Sequence, residues 1–227
     1  MIIMNSPKFK ICCIQNSEEA NLAISYGAYA IGLVSEMPSG PGMISEDKIK
    51  QIAETVPKSL KTFLLTSKQE SKDIIWQLKR CKTNTVQIVD RLTSGSYNEI
   101  RDALPEIKIV QVIHVLDNNS IDEAISISEE VDALLLDSGN PELNVKELGG
   151  TGRTHNWELS RTIRESVDLP VYLAGGLNPG NIAEAIKSVK PFGVDVCSGV
   201  RTNGKLDEEK LAEFVNQIKQ VNVGLCQ

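Results

Sequence analysis

The sequence predicts an α/β fold, a single (β/α)8 barrel spanning residues 1–227, with eight parallel strands inside and helices outside. Three observations predict it. Short β-branched runs alternate with longer amphipathic segments, and eight such strand–helix units can be counted along the chain. The strand runs are continuously apolar, as in a parallel sheet covered by helices. The length of 227 residues lies within the ~200–250 that one such barrel occupies. An open doubly wound sheet is the competing architecture. Its glycine fingerprint after the first strand is missing here.

The units follow in order. Phe9–Ile14 reads as the first strand, and Asn16 with Glu18 and Glu19 caps a helix that stops near Gly27. Ala30–Val34 is the second strand, followed by the turn-rich Pro38-Ser39-Gly40-Pro41-Gly42 and a helix from about Ser45 to before Pro57. Thr62–Leu65 leads to a helix over Lys68–Cys81, and Thr85–Val89 to one over Ser96–Ala103. Ile107–Val115 precedes a helix over Ser120–Glu129. Val131–Leu136 is the sixth strand, with Asp137 at its end. A long glycine-containing loop, Ser138–Asn156, comes before the sixth helix. Leu169–Leu173 and Gly193–Cys197 are the last strands, followed by helices over Pro179–Val189 and Asp207–Val221. Neither a linker nor a low-complexity tract interrupts the pattern.

Composition excludes several classes of function. A net charge of −6 without a basic block argues against a nucleic-acid surface. The N-terminus does not read as an export signal, and no run approaches the ~18 apolar residues of a membrane span. A cytoplasmic location is therefore expected. The five cysteines, Cys12, Cys13, Cys81, Cys197 and Cys226, are then free thiols and not a disulfide framework. Cys12 and Cys13 are adjacent and only two histidines occur, so a structural metal site is not expected.

Three features carry chemistry. Ala174-Gly175-Gly176-Leu177-Asn178 follows strand seven and Cys197-Ser198-Gly199-Val200 follows strand eight. Either turn alone is an ordinary tight connection. Together, at adjacent strand ends, they form the place where barrels present backbone N–H groups to a phosphate, with glycine allowing close approach. Leu148-Gly149-Gly150-Thr151-Gly152 is either a spacer or part of the same cradle. Cys12 and Asp137 both stand near C-terminal strand ends, where catalytic groups of barrels lie. A thiol acts as a base when its pKa is depressed, and a buried carboxyl acts as an acid. The plain alternative makes Cys12 a core residue and Asp137 a cap. Strand alternation places Cys13 on the opposite face from Cys12. His114 reads as a structural histidine within its strand. His155, beside Arg153, is placed at the mouth of the site, and Trp157 reads as packing at a helix start.

The motifs Lys10-Ile11-Cys12, Leu134-Leu135-Leu136-Asp137, Gly149-Gly150-Thr151-Gly152, Leu173-Ala174-Gly175-Gly176-Leu177-Asn178-Pro179 and Val194-Asp195-Val196-Cys197-Ser198-Gly199-Val200 resemble, in order, those of the phosphoribosylanthranilate isomerase family. The resemblance covers nearly the whole chain. It implies a cofactor-free Amadori rearrangement of a phosphoribosylated aromatic amine in tryptophan biosynthesis. It further implies Asp137 as general acid, Cys12 as general base, and Gly150, Gly175, Gly176, Ser198 and Gly199 around the phosphate. A small phosphosugar is then the partner, with the protein a monomer or homodimer.

The chain departs from the family pattern in one half of the site. Cys13-Ile14-Gln15 replaces Gly-Ile-Thr, and Gly42 stands where an arginine for the anthranilate carboxylate is expected. Gln87-Ile88-Val89-Asp90 replaces Gln-Leu-His-Gly, and Arg201 replaces a glutamate. Arg153, and less so Arg201, are the candidate replacements for the carboxylate contact. The rival readings are an isomerase or lyase on another phosphosugar, and a non-catalytic phosphosugar-binding barrel.

Overall fold

A computed structural model describes residues 7–223 of the chain; Met1–Ser6 and Cys226, which figured in the leader and cysteine readings, lie outside the described residues. Eight parallel strands close into a barrel in the order β1 to β8, with β8 returning beside β1. The strands are β1 (Lys8–Ile11), β2 (Ala30–Val34), β3 (Lys61–Thr66), β4 (Thr85–Ile88), β5 (Lys108–His114), β6 (Ala133–Asp137), β7 (Val171–Leu173) and β8 (Gly193–Val196). The helices between and after them are α1 (Ser17–Ser25), α2 (Glu46–Thr55), α3 (Ser71–Cys81), α4 (Tyr97–Ala103), α5 (Asn119–Ser128), α6 (Trp157–Ser166), α7 (Ile182–Val189) and α8 (Glu208–Val223). The predicted barrel is the fold observed.

Local chemistry starts the helices where the sequence indicated. The Asn16 side chain accepts from the Glu19 N–H at 2.8 Å, and the Asn156 side chain accepts from the N–H groups of Glu158 and Leu159. Ser45 and Ser96 cap α2 and α4 in the same way. Each cap satisfies a donor that the first helical turn leaves free.

Side chains alternate along the strands between two apolar layers. Ile11, Leu64, Leu134 and Leu136 pack outward against the helices, whereas Cys12, Phe63, Leu65 and Leu135 belong to the cluster that fills the barrel. One inward residue is a lysine. Lys10 is fully buried, with Nζ 2.8 Å from Asp195 Oδ2 and 5.2 Å from the Phe63 ring centroid. Lys10 and Asp195 are direct register partners across the seam between β1 and β8. Burial alone would lower the lysine pKa, but the charge of Asp195 raises it instead. Lys10 therefore stays an ammonium.

Two features differ from the sequence reading. β1 ends at Ile11, and Cys13 takes a left-handed backbone with φ of 62°. The chain turns there, so strand alternation no longer governs its side chain. A short antiparallel pair, β9 (Arg201–Thr202) with β10 (Lys205–Leu206), precedes α8; its turn, at Asn203 and Gly204, has no apolar run on either side to announce strands.

Asp195→Ala leaves the Lys10 ammonium buried without its carboxylate and is expected to destabilise the protein by about 3–5 kcal/mol. The urea midpoint measures this. Lys10→Met with Asp195→Leu should recover most of the loss, because it removes both charges; a double variant as unstable as Asp195→Ala would show that lost packing dominates.

Candidate active site

The C-terminal end of the barrel opens into a cleft of about 690 Å³ whose walls include Cys12, Cys13, Asp137, Gly150, Gly175, Gly176 and Ser198. Cys12 is held at the seam by its own N–H, which donates to the Val196 carbonyl at 2.8 Å. Gly32 makes room for it, since a Cβ there would lie 2.9 Å from Cys12 Sγ and 3.0 Å from Lys10 Nζ. The Cys13 side chain lowers the Cys12 thiol pKa against the opposing effect of burial, with help from Lys10.

Asp137 ends β6 and is buried. Its Oδ1 accepts from the Ser138 N–H at 2.7 Å, and Oδ2 lies 2.8 Å from where a Cβ on Gly149 would stand. Glycine at position 149 therefore lets the loop close over the carboxyl. Burial raises the Asp137 pKa, while the Ser138 N–H and the charges of His114 and Lys10 oppose the shift. The two shifts move thiol and carboxyl toward each other, which lowers the cost of passing a proton between them.

Cys13 does not point away from Cys12, as alternation predicted; both sulfurs face the cleft, because the left-handed turn redirects the second. Its S–H lies 3.6 Å from the Pro41 carbonyl oxygen, and its Sγ is 2.6 Å from that of Cys197. The neighbouring thiols of Cys12 and Cys197, together with burial, push the Cys13 thiol pKa up, so that Cys12 is the more acidic of the adjacent pair.

The glycine-loop side of the cleft is built from backbone. Gly150, Gly175 and Gly176 have φ of 67°, 81° and 62°, values that glycine alone adopts without cost. Gly199 is not among the cleft-lining residues; it packs where a Cβ would lie 2.0 Å from the Leu177 carbonyl oxygen, tying the strand-seven and strand-eight loops together. His155 stands behind Gly175, bonded to Ser160 at 2.7 Å, with its pKa lowered to about 4 by burial. It is a neutral support to the loop. His114 donates its Nε2–H to the Val89 carbonyl oxygen, 3.0 Å away, and Trp157 starts α6 packed on the outer core.

Neither candidate arginine reaches the cleft. Arg201 is buried, paired with both oxygens of Glu19 at 3.0 Å, and donates to the carbonyl oxygens of Cys12 and Cys13 at 3.2 and 2.6 Å. Its guanidinium thus fixes the turn that carries both cysteines. Arg153 pairs with Glu147 at the exposed rim. These placements correct the expectation that either side chain lines the substrate cavity. Among the described residues lining the cleft there is no lysine, arginine or histidine. Sequence reasoning missed Glu19, Lys10 and Asp195, although a charge inside an apolar strand is the signal that marks the last two.

A parallel barrel presenting a thiol and a buried carboxyl beside glycine loops on its C-terminal face has the architecture of the barrel enzymes that act on phosphorylated metabolites. Residues 9–217 match the family model described as N-(5'phosphoribosyl)anthranilate (PRA) isomerase. The N-(5'-phosphoribosyl)anthranilate isomerase of Methanosarcina acetivorans is 34% identical over 225 residues, covering 93% of this chain and 93% of that one. The phosphoribosyl anthranilate isomerase structure from Thermotoga maritima superposes with a TM-score of 0.77 at 29% identity, over 94% of this chain and 99% of that one. Another, solved in complex with reduced 1-(o-carboxyphenylamino)-1-deoxyribulose 5-phosphate, gives 0.74 at 26% identity over the same shares. This chain is a member of the N-(5'-phosphoribosyl)anthranilate isomerase family.

Arg201→Ala removes the ion-pair partner of Glu19 and the guanidinium donor to the carbonyl groups of Cys12, Cys13 and Gly204, and an expected loss of about 3–5 kcal/mol in stability follows. Arg201→Lys should rescue little of it, because the contacts need a planar fork. Burial raises the Glu19 pKa, but Arg201 and the Leu206 N–H leave it below the ordinary value. Its contribution is therefore present above the unfolded-state pKa and is lost as pH falls through the folded one. Wild type and Arg201→Ala melted across that acid range should converge; parallel curves would disprove the linkage.

Proposed function

We propose that the protein is an aldose–ketose isomerase that performs an Amadori rearrangement on an N-(5'-phosphoribosyl) arylamine, as the names of its relatives indicate for them. The observation that carries the reading is the opening of Cys12 and Asp137 onto one cleft, with the thiol pKa lowered and the carboxyl pKa raised. Backbone N–H groups of the loops at Gly150, Gly175, Gly176 and Ser198 hold the phosphate, while Gly199 keeps the strand-seven and strand-eight loops packed together. Asp137 gives its proton to the ribose ring oxygen, and the ring opens to a protonated Schiff base. The Cys12 thiolate then removes the proton on C2, leaving an enolamine. Ketonisation adds a proton at C1 and releases the one on O2, restoring thiolate and carboxylic acid. The chemistry needs no cofactor. Free cysteines among the described residues, and the absence there of any helix able to cross a membrane, are consistent with a cytoplasmic setting.

The cation-free lining favours a second reading within the same chemistry, in which the amine carries no carboxylate. An unpaired buried carboxylate costs several kcal/mol. Position 42 has a φ of 79°, and a Cβ there would fall 2.5 Å from Cys13 Cβ. An arginine at that position is excluded while Cys13 is present. The reading on anthranilate expects its carboxyl group to contribute about tenfold to 150-fold in kcat/KM, the range of a charged hydrogen bond. The second reading expects equal kcat/KM for phosphoribosylanthranilate and its carboxyl-free analogue. Steady-state kinetics on the two compounds decides between them.

Cys12→Ala and Asp137→Asn are each expected to lower kcat by ~10²–10⁴ while binding of ribulose 5-phosphate, measured by calorimetry, stays within a few-fold. Wild-type turnover in Cys12→Ala would remove the thiol as base.

A further inference from the structure

We propose that Cys13 and Cys197 form a covalent modification site in the wall of the cleft, converted by a peroxide into an intramolecular disulfide. Their sulfurs lie 2.6 Å apart, between the ~2.04 Å of a disulfide bond and ordinary contact of two thiols. The residues are 184 positions apart in sequence, yet they extend the paired ends of β1 and β8. The ladder at Ile11 and Val196, and the Cys12 N–H on the Val196 carbonyl oxygen, hold those ends together. Closing the bond therefore demands no chain rearrangement.

Each sulfur is placed for one half of the reaction. Cys197 is half-buried on the cleft wall, where a small oxidant reaches it. Cys13 is buried behind it, held by its left-handed backbone, by Arg201 on its carbonyl oxygen, and by the space that Gly42 leaves beside its Cβ. Cys81 is the contrast: it sits in the outer core with its thiol pKa pushed up to about 12 by burial. Cys12 and Cys13 are a poor pair, because a disulfide between sequence neighbours twists the peptide bond joining them out of its plane.

The step balances as follows. The Cys197 sulfur attacks one oxygen of hydrogen peroxide, the O–O bond breaks, and the thiol proton leaves in one water. The Cys13 sulfur then attacks the sulfenic sulfur, the S–O bond breaks, and its proton leaves in a second water. Two thiols and one peroxide yield one disulfide and two waters. The bond takes from Cys13 the S–H that it gives to the Pro41 carbonyl oxygen, next to Cys12 in the chain. The consequence for Cys12 as a base rests on the function proposed above; the modification itself does not.

The experiment exposes the full-length protein to hydrogen peroxide, blocks remaining thiols with N-ethylmaleimide in denaturant, and maps the digest by mass spectrometry. Two of the five thiols are expected to be lost, in a dithiothreitol-cleavable link joining the Cys12-Cys13 peptide to the Cys197 peptide. Cys12→Ser should keep the link, and Cys13→Ser should abolish it. Full alkylation of Cys13 and Cys197 in oxidised wild type would overturn the proposal, as would a link that persists in Cys13→Ser. The map needs no turnover, so its failure is distinct from failure of the isomerase reading.

Discussion

Eight strands make a barrel only when the last returns beside the first, and that seam constrains the rest of this structure. Nothing in the chain's local order forces β8 onto β1; they are joined through side chains and a ladder between distant segments. Here the ladder runs from Lys8 and Gly193 to Ile11 and Val196. A buried ammonium and carboxylate face each other within it. An isolated charge could not be buried among Phe63, Leu65 and Leu135, so the lysine demands its partner strand. The pair therefore specifies which strand closes the barrel as much as it stabilises the closure.

The same seam sets the chemistry of the site above it. Lys10 lies below Cys12 and favours the thiolate, while the buried carboxylates share its charge. At the top of the seam, Arg201 binds Glu19 from α1 and the carbonyl groups of the Cys12–Cys13 turn. That turn holds a non-glycine residue at positive φ, a conformation that costs about 1–2 kcal/mol for most side chains. The family pattern has glycine there, which needs no such support. The side chain gained is a thiol that lines the cleft beside Cys12.

Much of this was legible from the sequence, and the limits have physical causes. Strand runs and caps such as Asn16, Ser45 and Asn156 fixed the elements, because period and capping are local properties. Cys12, Asp137 and the paired glycine turns were found because barrel topology places strand ends on one face. Cys13 was misplaced because the end of β1 is set by a tertiary contact with Arg201, which no local pattern reveals. Arg201 itself was misread for the same reason: its partner Glu19 lies 182 residues away. A cation near a strand end is available to a ligand only if no internal carboxylate has claimed it.

The absence of cations from the described lining bears on how an acidic protein takes up a phosphate ester. The cleft offers the ligand backbone dipoles in glycine turns, which attract an anion over a few ångströms only. Long-range attraction is unavailable, because the net charge of −6 opposes a dianion and no cleft side chain counters it. Added salt screens that repulsion, so the encounter rate of a phosphate ester should rise with ionic strength. The opposite wall, with Val34, Met37, Leu65, Val89 and Leu148, is apolar. That wall suits a flat hydrocarbon ring and offers nothing to a charge. The cleft thus joins two surfaces of different chemistry and holds Cys12 and Asp137 as well.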